Sequence, residues 1–234
     1  MQTAKNILRE LRTLGTKDRA EASAWFFKTG KGEYGHGDIF VGVTVPNQRK
    51  LAKKYSGLSH SEVTNLLENK IHECRLVALI ILVEQYRAGD EKARAKIVKF
   101  YLAHTKYINN WDLVDTSASN ILGMELLHKK RDVLYVLVRS KNMWERRIAV
   151  IATLAFIREG DFADTLNLCG LLLRDREDLL HKAVGWMLRE VGKKSRPTLV
   201  RFLLEHSSSM PRTALRYAIE HFPEAERKKF MQMK

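Results

Sequence analysis

Beyond Pro46 the chain places apolar residues at the roughly 3.6-residue period of an amphipathic helix. Cys74–Tyr86, Arg147–Arg158 and Lys182–Val191 each put apolar side chains at i, i+3, i+4 and i+7, which predicts a helix over each stretch. The pattern breaks at Ala88-Gly89-Asp90, Glu159-Gly160-Asp161 and Ser207-Ser208-Ser209, where helix stops are expected. Lys28–Val45 departs from it. That stretch is glycine-rich and then β-branched, and predicts a loop or a short hairpin inserted between helices.

Four of the helical stretches are alike. CRLVALIILVEQY, RRIAVIATLAFIRE, HKAVGWMLREVG and PRTALRYAIEHF each begin near a base and continue with small apolar residues. WDLVDTSASNILG falls in register between the first two. With Arg75, Asp115, Arg147, Lys182 and Arg212 taken as equivalent, the steps are 40, 32, 35 and 30 residues. Those steps fit two-helix repeats, each of which buries its apolar face only against its neighbours. The expected fold is all-α: HEAT-like helical repeats over 1–234, stacked in a curved solenoid with a basic concave face. A helical bundle without repeats is the alternative.

Charge gives that face a purpose. The chain of 234 residues carries 41 Lys and Arg against 27 Asp and Glu, a net +14. Phosphate neutralisation with counterion release favours a polyanionic partner, although a well-solvated basic surface needs none. The N-terminal stretch lacks a signal-peptide core, and no apolar window reaches the roughly 18 residues of a membrane span. A soluble, cytoplasmic protein with no membrane partner is expected. Cys74 and Cys169 both lie in apolar periodic stretches, so neither a disulfide nor a zinc site is expected. The eight histidines show no metal-binding spacing and read as surface or helix-end residues.

The candidate chemistry lies in WDLVD. Trp111 and Asp115 are four residues apart, so one helical face presents an indole beside a carboxylate. Asp112 suits a helix start, after Asn109 and Asn110 as caps. Trp186 recurs in HKAVGWMLRE, where Ala183 and Gly185 would leave room beside the ring. Arg146, Arg147 and Arg189 offer guanidinium groups suited to phosphate, with salt bridges to Glu145 or Glu190 as the structural alternative.

At these residues the chain resembles the AlkD-type DNA alkylation repair glycosylases, which are HEAT-like repeat proteins. The resemblance runs from FFK and FVGVTVPNQRKLAKKY through WDLVD and NMWERRIAV to HKAVGWMLRE. It implies Asp115, Trp111 and Trp186 as catalytic residues, and Arg147, Arg49 and Arg189 at DNA-contacting positions. Arg146, Lys182 and Arg212 join them as bases in repeat register, and Phe26 stands where the family can carry a lesion-side tyrosine. The implied activity is monofunctional: hydrolysis of the N-glycosidic bond of cationic N3- or N7-alkylated purines in duplex DNA, leaving an abasic site. It needs no metal or organic cofactor, and the protein is expected to act as a monomer. GKGEYGHGD is an insertion relative to the best-known members. Related subfamilies carry a hairpin near it and bind branched DNA with little activity on alkylated bases. A non-catalytic protein for branched or structured DNA is therefore the second hypothesis, with Lys31 and His36 able to face phosphate. A HEAT-like protein scaffold, the third, fits the +14 charge poorly.

Overall fold

The computed structural model describes residues 2–233 and is helical through most of its length, as the periodicity predicts. It divides into two compact units between Ser117 and Ala118. The first contains α1 (Ala4–Leu14), α2 (Lys17–Phe26), α3 (Val45–Lys54), α4 (His60–Leu67), α5 (His72–Ala88), α6 (Glu91–Ala103) and α7 (Trp111–Ser117). Helices α1, α3, α4, α6 and α7 all pack on α5. Its sequence explains that place: every residue from His72 to Val83 is buried, so no side of this part of the helix is left for solvent. Helix α1 begins at Thr3, whose hydroxyl accepts the Asn6 N–H, and buries Ile7 and Leu11 one turn apart. Glu62 of α4 then accepts the Ala4 N–H at 2.7 Å, and Glu10 accepts Lys54 Nζ at 2.8 Å and the Tyr55 hydroxyl at 2.5 Å.

The second unit contains a π-type turn at Ser119–Gly123, then α8 (Asp132–Leu137), α9 (Met143–Ala152), α10 (Leu154–Arg158) and α11 (Ala163–Leu172). It continues with α12 (Asp178–Lys194), α13 (Arg196–His206), α14 (Arg212–Ala218) and α15 (Glu224–Gln232). Helix α12 is the hub, in contact with α9, α10, α11, α13 and α14. Arg147, Lys182 and Arg212 stand near the starts of α9, α12 and α14, and α12 packs on both of the others. The close approach of α12 and α14 depends on Gly185. A Cβ there would lie 2.4 Å from Tyr217 Cβ and 2.5 Å from the Ala214 carbonyl oxygen. The missing side chain is used by helix packing, which corrects the expectation that it leaves room beside Trp186.

All three predicted breaks are present. Helix α5 ends at Ala88 and Asp90 caps α6 by accepting the Ala93 N–H at 2.8 Å; Gly160 takes φ +81° after α10; α13 ends at His206. The stretch Arg147–Arg158 is interrupted at Thr153, which is buried and turns its hydroxyl back to the Val150 carbonyl at 2.7 Å. Residues 28–37 form a chain of turns, 38–44 run without turn or helix into α3, and the segment makes no hairpin. Among the described residues the β-type pairing is one isolated parallel bridge between Ile39 and Ile71. Among them, too, no helix is long and apolar enough to cross a membrane.

Candidate functional site

The first unit assembles its site around the start of α7. Asn110 is buried and accepts the Trp111 N–H through its own side chain at 2.8 Å; Asp112 Oδ1 accepts the Leu113 N–H at 2.9 Å. The other oxygen of Asp112 reaches across to α5, where His72 Nε2 lies 2.8 Å away. His72 Nδ1 is 3.0 Å from Asp38 Oδ2, and Asp38 Oδ1 is 2.6 Å from Arg75 Nη2. One imidazole, 2% exposed, thus joins two carboxylates that sequence separates by 34 and 40 residues from it. Burial pushes the His72 pKa down, but hydrogen bonds with Asp112 and Asp38 outweigh it and hold the imidazole above its ordinary value. Burial likewise raises Asp38, while the His72 hydrogen bond and the Arg75 charge more than reverse it, leaving this carboxyl below its ordinary value.

The same cluster fixes the glycine-rich segment. Asp38 lies within it, the His72 N–H donates to the Ile39 carbonyl at 2.8 Å, and Glu73 accepts the Val41, Gly42 and Val43 N–H groups at 2.8–3.3 Å. Gly42, at φ +80°, brings this strip of backbone against the Thr16 carbonyl, where a Cβ would come within 2.2 Å. Aromatic rings fill the space between segment and helix. Phe40 stacks on His72 at 4.6 Å, Phe27 stacks on Phe40 at 5.1 Å, and the Trp111 indole stacks on Phe27 at 5.2 Å. Phe26 meets Trp111 edge-on at 5.8 Å. Asp115, half-buried, follows Trp111 by one helical turn, beside the buried Tyr101 phenol. Burial holds that phenol above its ordinary pKa against a Ser117 hydrogen bond, and the Asp115 charge adds to the rise.

Trp111, Asp115 and Phe26 are thus brought together in the first unit, with Arg49 exposed on α3. The second unit holds the other candidates. Trp186 is half-buried and its Nε1 donates to Glu190 at 3.2 Å, one turn along α12. Arg189 pairs with Glu220 and lies 3.6 Å from Glu190, the salt-bridge alternative for this residue. Arg146 does not turn to Glu145. It forks onto Asp175 at 2.7 and 3.2 Å and donates to the Ser140 carbonyl at 2.9 Å. Lys182 lies 2.8 Å from Asp178, and exposed Arg212 donates to the Met231 carbonyl.

Two positions in the basic register are internal. Arg147 is 5% exposed and donates to the Leu179 carbonyl at 2.5 Å; Arg75 is buried with Asp38 and the Asn69 carbonyl. Arg75 holds two loop residues and Arg147 the first turn of α12, and this corrects the expectation that equivalent bases line one open face. Both cysteines are free and buried, and burial pushes the Cys74 thiol up to about 12. Among the described residues no group of three or more His, Cys, Asp or Glu side chains could hold a metal ion. The site residues that sequence reasoning missed are Asp38, His72, Phe27 and Phe40. The signal for Asp38 and Phe40 lay in GHGDIF, where a carboxylate and an aromatic follow two glycines; no local pattern marked His72 or Phe27.

The family model described as DNA alkylation repair enzyme matches residues 7–222. The chain belongs to that family. Among solved structures it is similar to a protein of Enterococcus faecalis described as a predicted DNA alkylation repair enzyme. The TM-score there is 0.69 at 17% identity, covering 90% of this chain and 97% of the other. It is also similar to AlkD2 from Streptococcus mutans, with a TM-score of 0.53 at 15% identity over 95% of this chain and all of that one. No curated protein sequence matches it. Membership of the DNA alkylation repair family places its role in DNA repair and makes DNA its substrate. The helical-repeat fold shared with AlkD-type proteins agrees with the all-α expectation.

Proposed function

We propose that the protein is a monofunctional DNA glycosylase that hydrolyses the N-glycosidic bond of N3- or N7-alkylated purines. The observation that carries this is the placement of Asp115 on the side of α7 that carries Trp111, an indole held by Phe27 and Phe26. Both oxygens of Asp112 are engaged by the fold, one with His72 and one with the Leu113 N–H. Asp115 stands one turn further along on the Trp111 side of the helix. Asp115 is the proposed catalytic carboxylate because it shares the Trp111 face, while Asp112 ties α7 to α5 through His72.

Alkylation leaves a positive charge on the purine, so the base departs without needing a strong acid. What the protein must supply is stabilisation of the electron-poor sugar that remains, together with a place for water. A preorganised carboxylate does the first and orients the second. The indole of Trp111 offers its π-face to the cationic base, an interaction of about 0.5–2 kcal/mol. Its orientation is fixed by Phe27 stacked on one side and Phe26 at its edge. Trp186 is proposed for a like role, with Glu190 as its partner in the absence of DNA. Exposed Arg49 and Arg212 would meet phosphate; Arg146, Arg189 and Lys182 would do so by exchanging carboxylate partners; Arg147 acts by holding Leu179 at the start of α12. The proposed substrate is double-stranded DNA, bound by a monomer in the cytoplasm.

Incubation of the protein with duplex containing 7-methylguanine tests this. Release of the free base above the spontaneous rate, leaving an alkali-labile abasic site, is expected. Tight binding of a four-way junction with no base release would instead favour a protein for branched DNA. Backbone recognition also requires log K to fall with log salt, with a slope near −0.9 for each phosphate neutralised.

A further inference from the structure

Tryptophan has more apolar surface to bury than any other side chain, yet Trp25 is 75% exposed. It sits in the last turn of α2, directly before Phe26, itself 54% exposed, whose ring meets Trp111. The end of α2 adds a cation. The Thr29 N–H donates to the Ala24 carbonyl and the Lys28 N–H to the Trp25 carbonyl, both at 3.2 Å, the pair of bonds that closes a helix through one left-handed residue. Glycine commonly takes that place; here it is Lys28, at φ 55°. The strained turn leaves the Lys28 ammonium 5.2 Å from the centre of the Trp25 ring.

An exposed indole with a cation beside it matches a nucleobase and its phosphate. Aromatic side chains stack on any base, because every base has a π-face, and the ammonium neutralises the adjoining phosphate. Within an intact duplex the base faces are already covered, so the partner must be a base that has left the stack. Asp18 and Glu21 share the Trp25 side of α2 toward its other end, and they repel phosphate. Contact is thereby confined to the Trp25–Lys28 end.

We propose that Trp25 and Lys28 form a stacking platform for an unpaired nucleobase of the DNA substrate, beside the Phe26–Trp111 pair. This rests on the DNA contact in the proposed function and not on bond cleavage. The full chain is tested with a duplex carrying one unpaired 2-aminopurine and with the same duplex fully paired. Wild type should bind the first more tightly and quench its fluorescence. Trp25→Ala should weaken that binding roughly tenfold and abolish the quench, while Trp25→Phe keeps most of both. Lys28→Gly should also weaken binding but raise the melting temperature, because glycine relieves the left-handed turn. A purely structural Lys28 would leave binding unchanged. Equal affinity and quench in Trp25→Ala and wild type would overturn the proposal, as would failure of wild type to bind the unpaired site. A Trp25-dependent quench without release of 7-methylguanine would uphold the platform and overturn the glycosylase; release with a Trp25-independent quench would do the reverse.

Discussion

Trp111 and Trp186 are the two indoles put forward for the same chemistry, and the fold holds them in different ways. Trp111 is fixed by residues from other segments: Phe27 on its face, Phe26 at its edge, and below them the buried chain Asp38–His72–Asp112. Trp186 is fixed by its own helix, through one hydrogen bond to Glu190, to which Lys193 also donates at 2.8 Å. The first arrangement cannot relax without exposing charge. The second can change partner by rotating one half-buried carboxylate. Preorganisation therefore belongs to the first unit, where the proposed catalytic carboxylate also lies.

The largest effect that can break this comparison is at His72. His72→Ala removes the buried cation shared by the largely covered Asp38 and Asp112 carboxylates, leaving Asp38 with Arg75 alone, and should cost about 3 kcal/mol, read as a lowered melting temperature. Next comes the packing on which α12 depends. Gly185→Ala forces a methyl against α14 and should destabilise by about 1–3 kcal/mol in chemical denaturation. The ion cluster should then show itself in pH. Because the folded His72 pKa is raised above 6.5, its contribution is complete below that value and is lost as pH rises through the folded pKa. Asp38, lowered below 3.8, contributes above that value and loses its part as pH falls through its folded pKa. Wild type should accordingly lose melting temperature as pH rises from below 6.5 through the folded His72 pKa, by more than His72→Gln does. The smallest effect is at Glu190. Glu190→Gln, which keeps an acceptor for Trp186 Nε1, should cost less than about 1 kcal/mol. Equal costs for His72→Ala and Glu190→Gln would remove the distinction between the two indoles.

Local signals were legible and distant ones were not. The breaks at Gly89-Asp90, Gly160 and Ser207 are written in the residues that make them, and the apolar run Leu76–Val83 announces the burial of the middle of α5. The facing of Trp111 and Asp115 follows from helical spacing alone. No spacing, by contrast, links Asp38 to His72 or His72 to Asp112, because the contacts form only once the glycine-rich segment lies on α5. The same limit explains Arg75 and Arg147. A base near a helix start reads as a surface residue, while the acceptor that buries Arg147 is a backbone carbonyl 32 residues away. Four glycines between Thr29 and Asp38 suggested a hairpin; the backbone uses Gly32 and Gly37 in successive turns and pairs with residue 71 instead.

Single-turnover release of 7-methylguanine by Asp115→Asn, beside wild type at saturating protein, tests the catalytic assignment most directly. Asparagine keeps the shape and removes the charge, so DNA affinity should persist while the rate falls by about 100-fold or more, the loss of roughly 2.7 kcal/mol or more of transition-state stabilisation. An Asp115→Asn protein that releases base at the wild-type rate would contradict it.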